Sequence, residues 1–427
     1  MNQFIRRHYH YVIAAGAFVT VAVIIGLCNN LYTLFTIPVT TALGISRGAF
    51  SVSQSLRYAG NFLSSLLMGG LYRKYGYRRP ATIAILLASL IYLGYSLAQD
   101  ILPFLIGSLL FGLMEYFLTT AAVTRLLGNW FYSHQGLAIG AAMAGSGVGG
   151  SILSLVLSSI MERSDFRAAL RFAALLLLLT AGLVFFIMKD RPEEMGLSAY
   201  HDPDRPQRTR KKKRLPTAWE GVPAKELFRK PFFYLTMLGM VLAPLVSNGI
   251  YIALVPHLQD QGFSPSFAAS MLSLVLILMA VNKILLGMLS DRIGAHHVVM
   301  LCLISSLLAV VLLADVKSSA QAVTAAILMA ISTCLQGFLQ PLLAAELFGR
   351  QAYGVTLGLI LAMLSLGALA ASPLMNFFYD LNGSYTQILL ILAAVCAADA
   401  LLLVPAFHME QKFRRRVEQK GDSQKNV

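Results

Sequence analysis

Charge is what this sequence is short of. Only 13% of its 427 residues are Asp, Glu, Lys or Arg, about half of the ~25% that a water-facing protein carries to cover its surface. That shortfall excludes a soluble fold for the bulk of the chain. Cysteine is scarce too: Cys28, Cys302, Cys334 and Cys396 all sit in apolar stretches without paired spacing, so neither a disulfide framework nor a zinc site is legible. Gly145, Gly147, Gly149 and Gly150 cluster inside an apolar run, not in the strand–loop–helix setting that a phosphate cradle needs. Small residues in such a run let transmembrane helices approach closely. There is no Ser/His/Asp set and no cofactor loop. His296 and His297 are adjacent, a poor helical spacing for a metal pair, and read as solvated loop residues. Enzymatic chemistry, a cofactor and a metal are therefore not expected.

What the chain has in abundance is apolar length. Hydrophobic residues make up 57% of it, and the mean hydropathy is +0.68. Windows long enough to cross a bilayer, about 20 residues each, fall near 11–40, 49–71, 80–98, 102–125, 136–160 and 168–188. A second set falls near 232–256, 265–289, 298–315, 321–344, 354–378 and 386–406. With lipid as solvent, backbone amides must be satisfied within each segment, so these windows predict helices. The expected architecture is an all-α polytopic membrane protein of twelve transmembrane helices. Its six-helix halves, 1–188 and 232–406, are joined by a basic linker, 189–231, and followed by a charged tail, 407–427. The opening MNQFIRRHYHYV runs into the first window without a small-residue cleavage site, and reads as a retained helix.

The net charge is 34 − 20 = +14, which on its own would suit nucleic acid. A nucleic-acid surface, however, forms a contiguous basic face. Here the cations sit in short connectors: Arg6, Arg7, Arg73, Lys74, Arg78, Arg79, the linker run from Arg208 to Arg214, Arg292, Arg350 and the tail. The alternate loops hold only Arg47, Arg163, Arg167, Arg171 and Lys317. This asymmetry predicts cytoplasmic termini in a plasma or inner membrane.

The halves echo one another. At an offset of 218 residues, Pro38 matches Pro256, Gly44 matches Gly262, Ser46 matches Ser264, Gly69 matches Gly287, Leu71 matches Leu289 and Gly76 matches Gly294. Duplicated halves predict a substrate path between them, with rocking of one half against the other. The repeated segments are GGLYRKYGYRRP (69–80) and GMLSDRIGAHH (287–297). Together they resemble the major facilitator loop pattern Gly-x-x-x-Asp-Arg-x-Gly-x-Arg. The second copy keeps Asp291 and Arg292, which the resemblance makes gating residues; the first copy has Arg73 where the acid would stand. GISRGAFSVSQSL (44–56), NWFYSHQGLAIGAAMAGSGVGG (129–150), RPEEMGL (191–197), LVPHLQDQGFS (254–264), LFGRQAYGVTLG (347–358) and FFYDLNGSYTQ (377–387) further resemble the monocarboxylate transporters and oxalate/formate antiporters.

Ionisable residues inside apolar windows are expensive and mark function or pairing. Lys283 stands four residues before Gly287. The resemblance places an arginine there, as an anchor for the substrate carboxylate; a lysine keeps the charge and loses the planar fork. The alternative is a lysine that snorkels to the interface. Arg57 lies on a polar stripe with Ser53, Gln54 and Asn61, and Glu115 in the fourth window is its obvious partner. A structural ion pair and a gated, proton-sensitive pair both fit. Asp399 in the last window favours structural pairing or packing. Asn29 and Tyr32 in the first window, Asn248 and Tyr251 in the seventh, Asn282 and Gln336 are candidate cavity residues. Each of these polar side chains could equally bond a neighbouring helix. Two family features are missing: Met279 occupies the position of the aspartate of proton-coupled members, and Ile360 that of the second lysine of the oxalate exchanger.

The resemblance implies a secondary transporter of small organic anions, monocarboxylates foremost. It would work by alternating access as a functional monomer, with protons as a candidate coupling ion or by exchange. An exporter of drugs or neutral metabolites and a non-transporting sensor with the same fold are the rival readings. The charge asymmetry generates one direct check. Cysteines introduced at positions 210 and 420 should resist membrane-impermeant thiol labelling of intact cells; efficient labelling there would invert the topology.

Overall fold

The computed structural model describes residues 8–118, 120–131, 135–200, 221–333 and 339–425. The helices are α1 (Tyr9–Val23), α2 (Thr36–Leu43), α3 (Arg47–Tyr75), α4 (Arg78–Ser96), α5 (Leu102–Met114), α6 (Thr120–Trp130), α7 (Gln135–Arg163) and α8 (Phe166–Ile187). They continue as α9 (Ala224–Leu227), α10 (Pro231–Asp260), α11 (Pro265–Ile293), α12 (Ala295–Ala314), α13 (Ser319–Ser332), α14 (Leu339–Asn382) and α15 (Thr386–Lys425). No strand occurs among the described residues, only an isolated bridge between Phe131 and Tyr200. Among the described residues the twelve apolar windows fall mainly on helix. Nine helical segments among the described residues are long and apolar enough to cross a membrane. Their apolar surface points outward: of the most apolar stretch of α8 only 39% is buried, and Leu179 and Phe186 are exposed. Such surface needs hydrocarbon, not water, around it.

Local chemistry sets the helix ends. Asp165 caps α8 by accepting from Ala168 N at 2.7 Å. Ser318 and Gln321 form a reciprocal capping box at α13, Ser318 Oγ accepting from Gln321 N and Gln321 Oε1 from Ser318 N. Pro231 and Pro265 open α10 and α11, where a missing N–H is harmless. The paired glycines of the repeat have a backbone reason. Gly44 and Gly262 have φ of +62° and +88°, and Gly76 and Gly294 have +72° and +88°, a region that side-chain-bearing residues seldom enter.

The windows differ from the helices in three places. The first is not one helix: α1 widens into a π-turn over Ile24–Asn29, breaks, and resumes through a 3-10 turn, Tyr32–Phe35, into α2. The fourth is interrupted by a 3-10 turn at Glu115–Leu118 between α5 and α6. The charged tail is not loose either, because α15 runs on to Lys425. Within α14 the helix kinks at Gly349, where φ is +73°.

Two compact units emerge from the contacts. The first comprises 1–208, 253–280 and 376–383; the second comprises 209–252, 281–375 and 384–427. In the first, α4 packs along α8, α3 along α5 and α1 along α7; in the second, α12 packs against α13 and α15. The glycine cluster of α7 is the contact surface of that bundle. A Cβ on Gly145 would lie 2.5 Å from Phe18 O, and one on Gly147 would lie 2.6 Å from Leu276 O of α11. These glycines therefore serve backbone approach, as small residues do between transmembrane helices. The loop before α4 is tied down by Asp190, which accepts from Tyr77 N and Arg78 N, each at 2.8 Å. Trp130 Nε1 donates to Lys189 O at 2.8 Å and Asn129 Nδ2 to Asp190 O at 3.0 Å, so the Asn-Trp-Phe stretch anchors the chain as it leaves α8.

Overpacking such an interface typically costs about 1–3 kcal/mol. Gly145→Leu should lower the melting temperature of the purified protein measurably. Gly140→Ala, at an exposed glycine with nothing within 4 Å of the added carbon, should leave it unchanged. Equal melting temperatures for wild type and Gly145→Leu would place α1 away from α7.

Candidate functional site

The two helix interruptions of the first unit meet at one ion pair. The π-turn and break after α1 carry Asn29, and the 3-10 turn after α5 begins at Glu115. Insertions of this kind in α-helices often accompany functional positions. Arg57 reaches between them from α3. Its Nε donates to Glu115 Oε2 at 3.2 Å and its Nη2 to Glu115 Oε1 at 2.9 Å. Nη1 donates to Cys28 O at 2.5 Å, and Nη2 also donates to Asn29 Oδ1. Asn29 Nδ2 closes the circuit by donating to Glu115 Oε1 at 3.1 Å. Four of the five guanidinium N–H groups thus have partners, and the Phe111 ring lies 4.5 Å from the guanidinium carbon. Both charges are buried, each residue 7% exposed.

This circuit decides what Arg57 can do. A guanidinium already held two-pronged by a carboxylate is neutralised, and would have to leave Glu115 to hold a second anion. A small cavity beside the pair, about 40 Å³, is lined by Gln54, Arg57, Tyr32, Tyr95 and Phe104 among others, and its volume admits water rather than an organic acid. Tyr32 is committed to packing: its hydroxyl donates to Phe50 O at 2.9 Å and lies 2.7 Å from Ser53 Oγ, with its ring stacked on Phe50.

The other candidates lie in the second unit. Lys283 and Asn282 are half-buried on α11, and Asn248 and Tyr251 half-buried on α10. Asn248 Nδ2 donates to its own helix at Pro244 O, 2.9 Å away, the bland role that an amide in a helix commonly takes. Arg292 is exposed near the end of α11. The Asp291 side chain and Gln336 lie outside the described residues. One expectation needs correction. His296 is not simply solvated; its Nδ1 lies 2.7 Å from Glu346 Oε1, with both side chains partly buried. Asp399 has no pairing partner among the described residues: it is fully buried, and neither carboxylate oxygen accepts a hydrogen bond. No group of three His, Cys, Asp or Glu among the described residues could hold a metal ion.

Sequence reasoning missed a second charged cluster in the first unit. Arg47 makes a two-pronged pair with Asp260, at 2.6 and 2.8 Å, and its guanidinium lies 3.8 Å from the Tyr379 ring centre. Asp380 accepts from the backbone N–H of Arg47 at 3.0 Å and of Gly48 at 2.7 Å. It thereby caps the start of α3 and complements its dipole. The signal was present in the paired turns, because Arg47 and Asp260 each lie within three residues of Gly44 or Gly262.

Comparison with known proteins supplies the family. The profile of the Major Facilitator Superfamily matches residues 17–345 and 236–426, nearly the whole chain. The chain belongs to the Major Facilitator Superfamily. Among curated members, monocarboxylate transporter 13 of Bos taurus is 24% identical over 405 residues, covering 93% of this chain and 89% of that protein. The MFS transporter asaE of Aspergillus flavus is 22% identical over 283 residues, 65% of this chain and only 59% of that protein's length. Among solved structures, a mutant form of the nucleoside transporter NupG aligns with a TM-score of 0.73 at 12% identity, covering 92% of this chain and all of that one. A bacterial homologue of the human lysosomal transporter Spinster, inward-facing and occupied, aligns with a TM-score of 0.65 at 15% identity, covering 95% and 96%. At these identities the structural matches speak for the superfamily fold alone.

Removing one partner of a buried pair strands the other, typically at about 3–5 kcal/mol. Arg57→Ala and Glu115→Ala should each lower stability by that order, and the double substitution by clearly less than their sum. Thermal unfolding of the purified variants measures this, and strictly additive losses would mean that the two residues do not interact.

Proposed function

We propose that this facilitator carries small organic anions, monocarboxylates foremost, across a cell membrane by alternating access. The observation that carries the reading is Lys283. It is a cation half-buried on a long apolar helix, where ionisable side chains are rare and mark substrate pathways. A substrate carboxylate that neutralises it supplies the differential interaction that a carrier needs to change state. The 93% coverage of this chain by the match to monocarboxylate transporter 13 supports the same substrate class. Arg57 and Glu115 act as a paired gate rather than a second anion anchor, because their bonds are spent on each other and on Asn29. One anchor cation suits one carboxylate. Asn282, Asn248, Tyr251 and Gln336 would contribute polar lining. Asp291 and Arg292 would steady the cytoplasmic loop, with both termini on that side. Transport as symport with a proton or as exchange between anions both fit a single-anchor site.

Lys283→Gln keeps similar length and removes the charge. Reconstituted in proteoliposomes with a panel of labelled mono- and dicarboxylates, wild type should carry a monocarboxylate, and Lys283→Gln should lose at least tenfold in rate with its melting temperature nearly unchanged. Lys283→Arg should keep part of the rate. Wild-type transport by purified Lys283→Gln would sink the anion-anchor reading and favour a neutral cargo.

A further inference from the structure

Asp399 is a carboxyl group that neither the transport reading nor the family resemblance uses. It projects from α15, which packs against α12, toward Gly239 of α10, a residue of the same second unit, and is fully buried, with neither oxygen hydrogen-bonded. The pocket is built around it. Gly239 of α10 faces the carboxyl directly: a Cβ there would stand 2.8 Å from Asp399 Oδ1 and 2.6 Å from Leu403 Cδ2. The glycine thus leaves room for the carboxyl and for nothing more on that side. One turn back on α15, Cys396 Sγ donates to Leu303 O of α12 at 3.3 Å. Ser306 of α12, 4% exposed, lies against the same thiol.

The electrostatics around it are one-sided. The Cys396 thiol on its own helix is the titratable group that faces it. From α10 Gly239, which does not titrate, faces it, and no Lys, Arg, His or second carboxyl among the described residues acts on it. Among the described residues an ionised carboxylate in such a place has neither a donor nor a counter-charge. As the acid it is uncharged, and its burial costs only what a neutral polar group costs.

We propose that Asp399 is a proton-binding site: the pocket between α10, α12 and α15 holds its carboxyl as the neutral acid, and loss of that proton loosens the three helices. The sign follows from linkage. An aspartate freed by unfolding titrates near about 4, so above that pH unfolding of these helices releases a proton. Each further pH unit then moves the equilibrium toward the unfolded side by up to tenfold, until the folded site itself ionises. Protonation here stabilises a helix triplet; it assigns no coupling stoichiometry to transport and is separate from Lys283.

Infrared difference spectra of the full chain in lipid bilayers at pH 7, wild type minus Asp399→Asn, test the protonation state. A carboxylic acid carbonyl band that shifts in heavy water is expected; carboxylate bands in its place would overturn the proposal. Thermal unfolding between pH 5 and 8 tests the linkage. The wild-type midpoint should fall as pH rises relative to Asp399→Asn, and parallel profiles would overturn it. Sodium added at constant pH should leave both midpoints equal in their response; stabilisation of wild type alone would mean that the bound cation is Na⁺ rather than H⁺. If Asp399→Asn does not fold, Asp399→Ser serves as the reference in all three. Gly239→Ala reads the geometry, since it should destabilise wild type more than an Asp399→Ala background. Equal losses would show that the carboxyl does not occupy the space assigned to it.

Discussion

Hydrocarbon offers no hydrogen bonds, and nearly every feature of this protein follows from that single constraint. Backbone amides must be satisfied within their own segment, so the apolar windows become helices. Side-chain dipoles and charges must find partners within the bundle, so Arg57, Glu115, Asn29 and the Cys28 carbonyl converge on one circuit. Where the helix regularity fails, at Ile24–Asn29 and at Glu115–Leu118, the irregular backbone lies against that polar circuit rather than against lipid. The irregularities and the ion pair explain each other: the turns aim Asn29 and Glu115 at Arg57, and the bonds to Arg57 offset the disturbed helix.

Much of this was legible because hydropathy is a long-range signal. Twenty-residue apolar windows reveal spans without any knowledge of packing. The Arg57–Glu115 pair was legible for a related reason, since few other charges in the neighbouring windows could balance either one. The duplicated glycines were legible because positive φ leaves little choice of residue, as Gly44, Gly262, Gly76 and Gly294 show.

What stayed hidden depends on three-dimensional neighbours. No periodicity reveals that Asp190 satisfies the amides at the start of α4, because the partners are more than a hundred residues apart. The break after α1 was invisible to hydropathy, since Asn29 and Asn30 barely lower the average of a long apolar run. Asp399 left pairing and packing both open, because a charge in an apolar window can serve either. Only the side-chain surroundings reveal Gly239 beside its carboxyl.

The cap on α3 has a consequence for the order in which the protein can be finished. Ser46 Oγ caps that helix locally by accepting from Ala49 N at 3.0 Å, but the amides of Arg47 and Gly48 wait for Asp380, 333 residues further along the chain from Arg47. A ribosome adding about 5–20 residues per second needs roughly a quarter of a minute to somewhat over a minute to traverse that distance. Through that interval the first turn of α3 lacks its Asp380 cap, and the Arg47 side chain waits for Asp260 until 213 residues on. Membrane insertion of α3 and completion of its first turn are therefore separate events in biosynthesis, and the second belongs to the last third of translation.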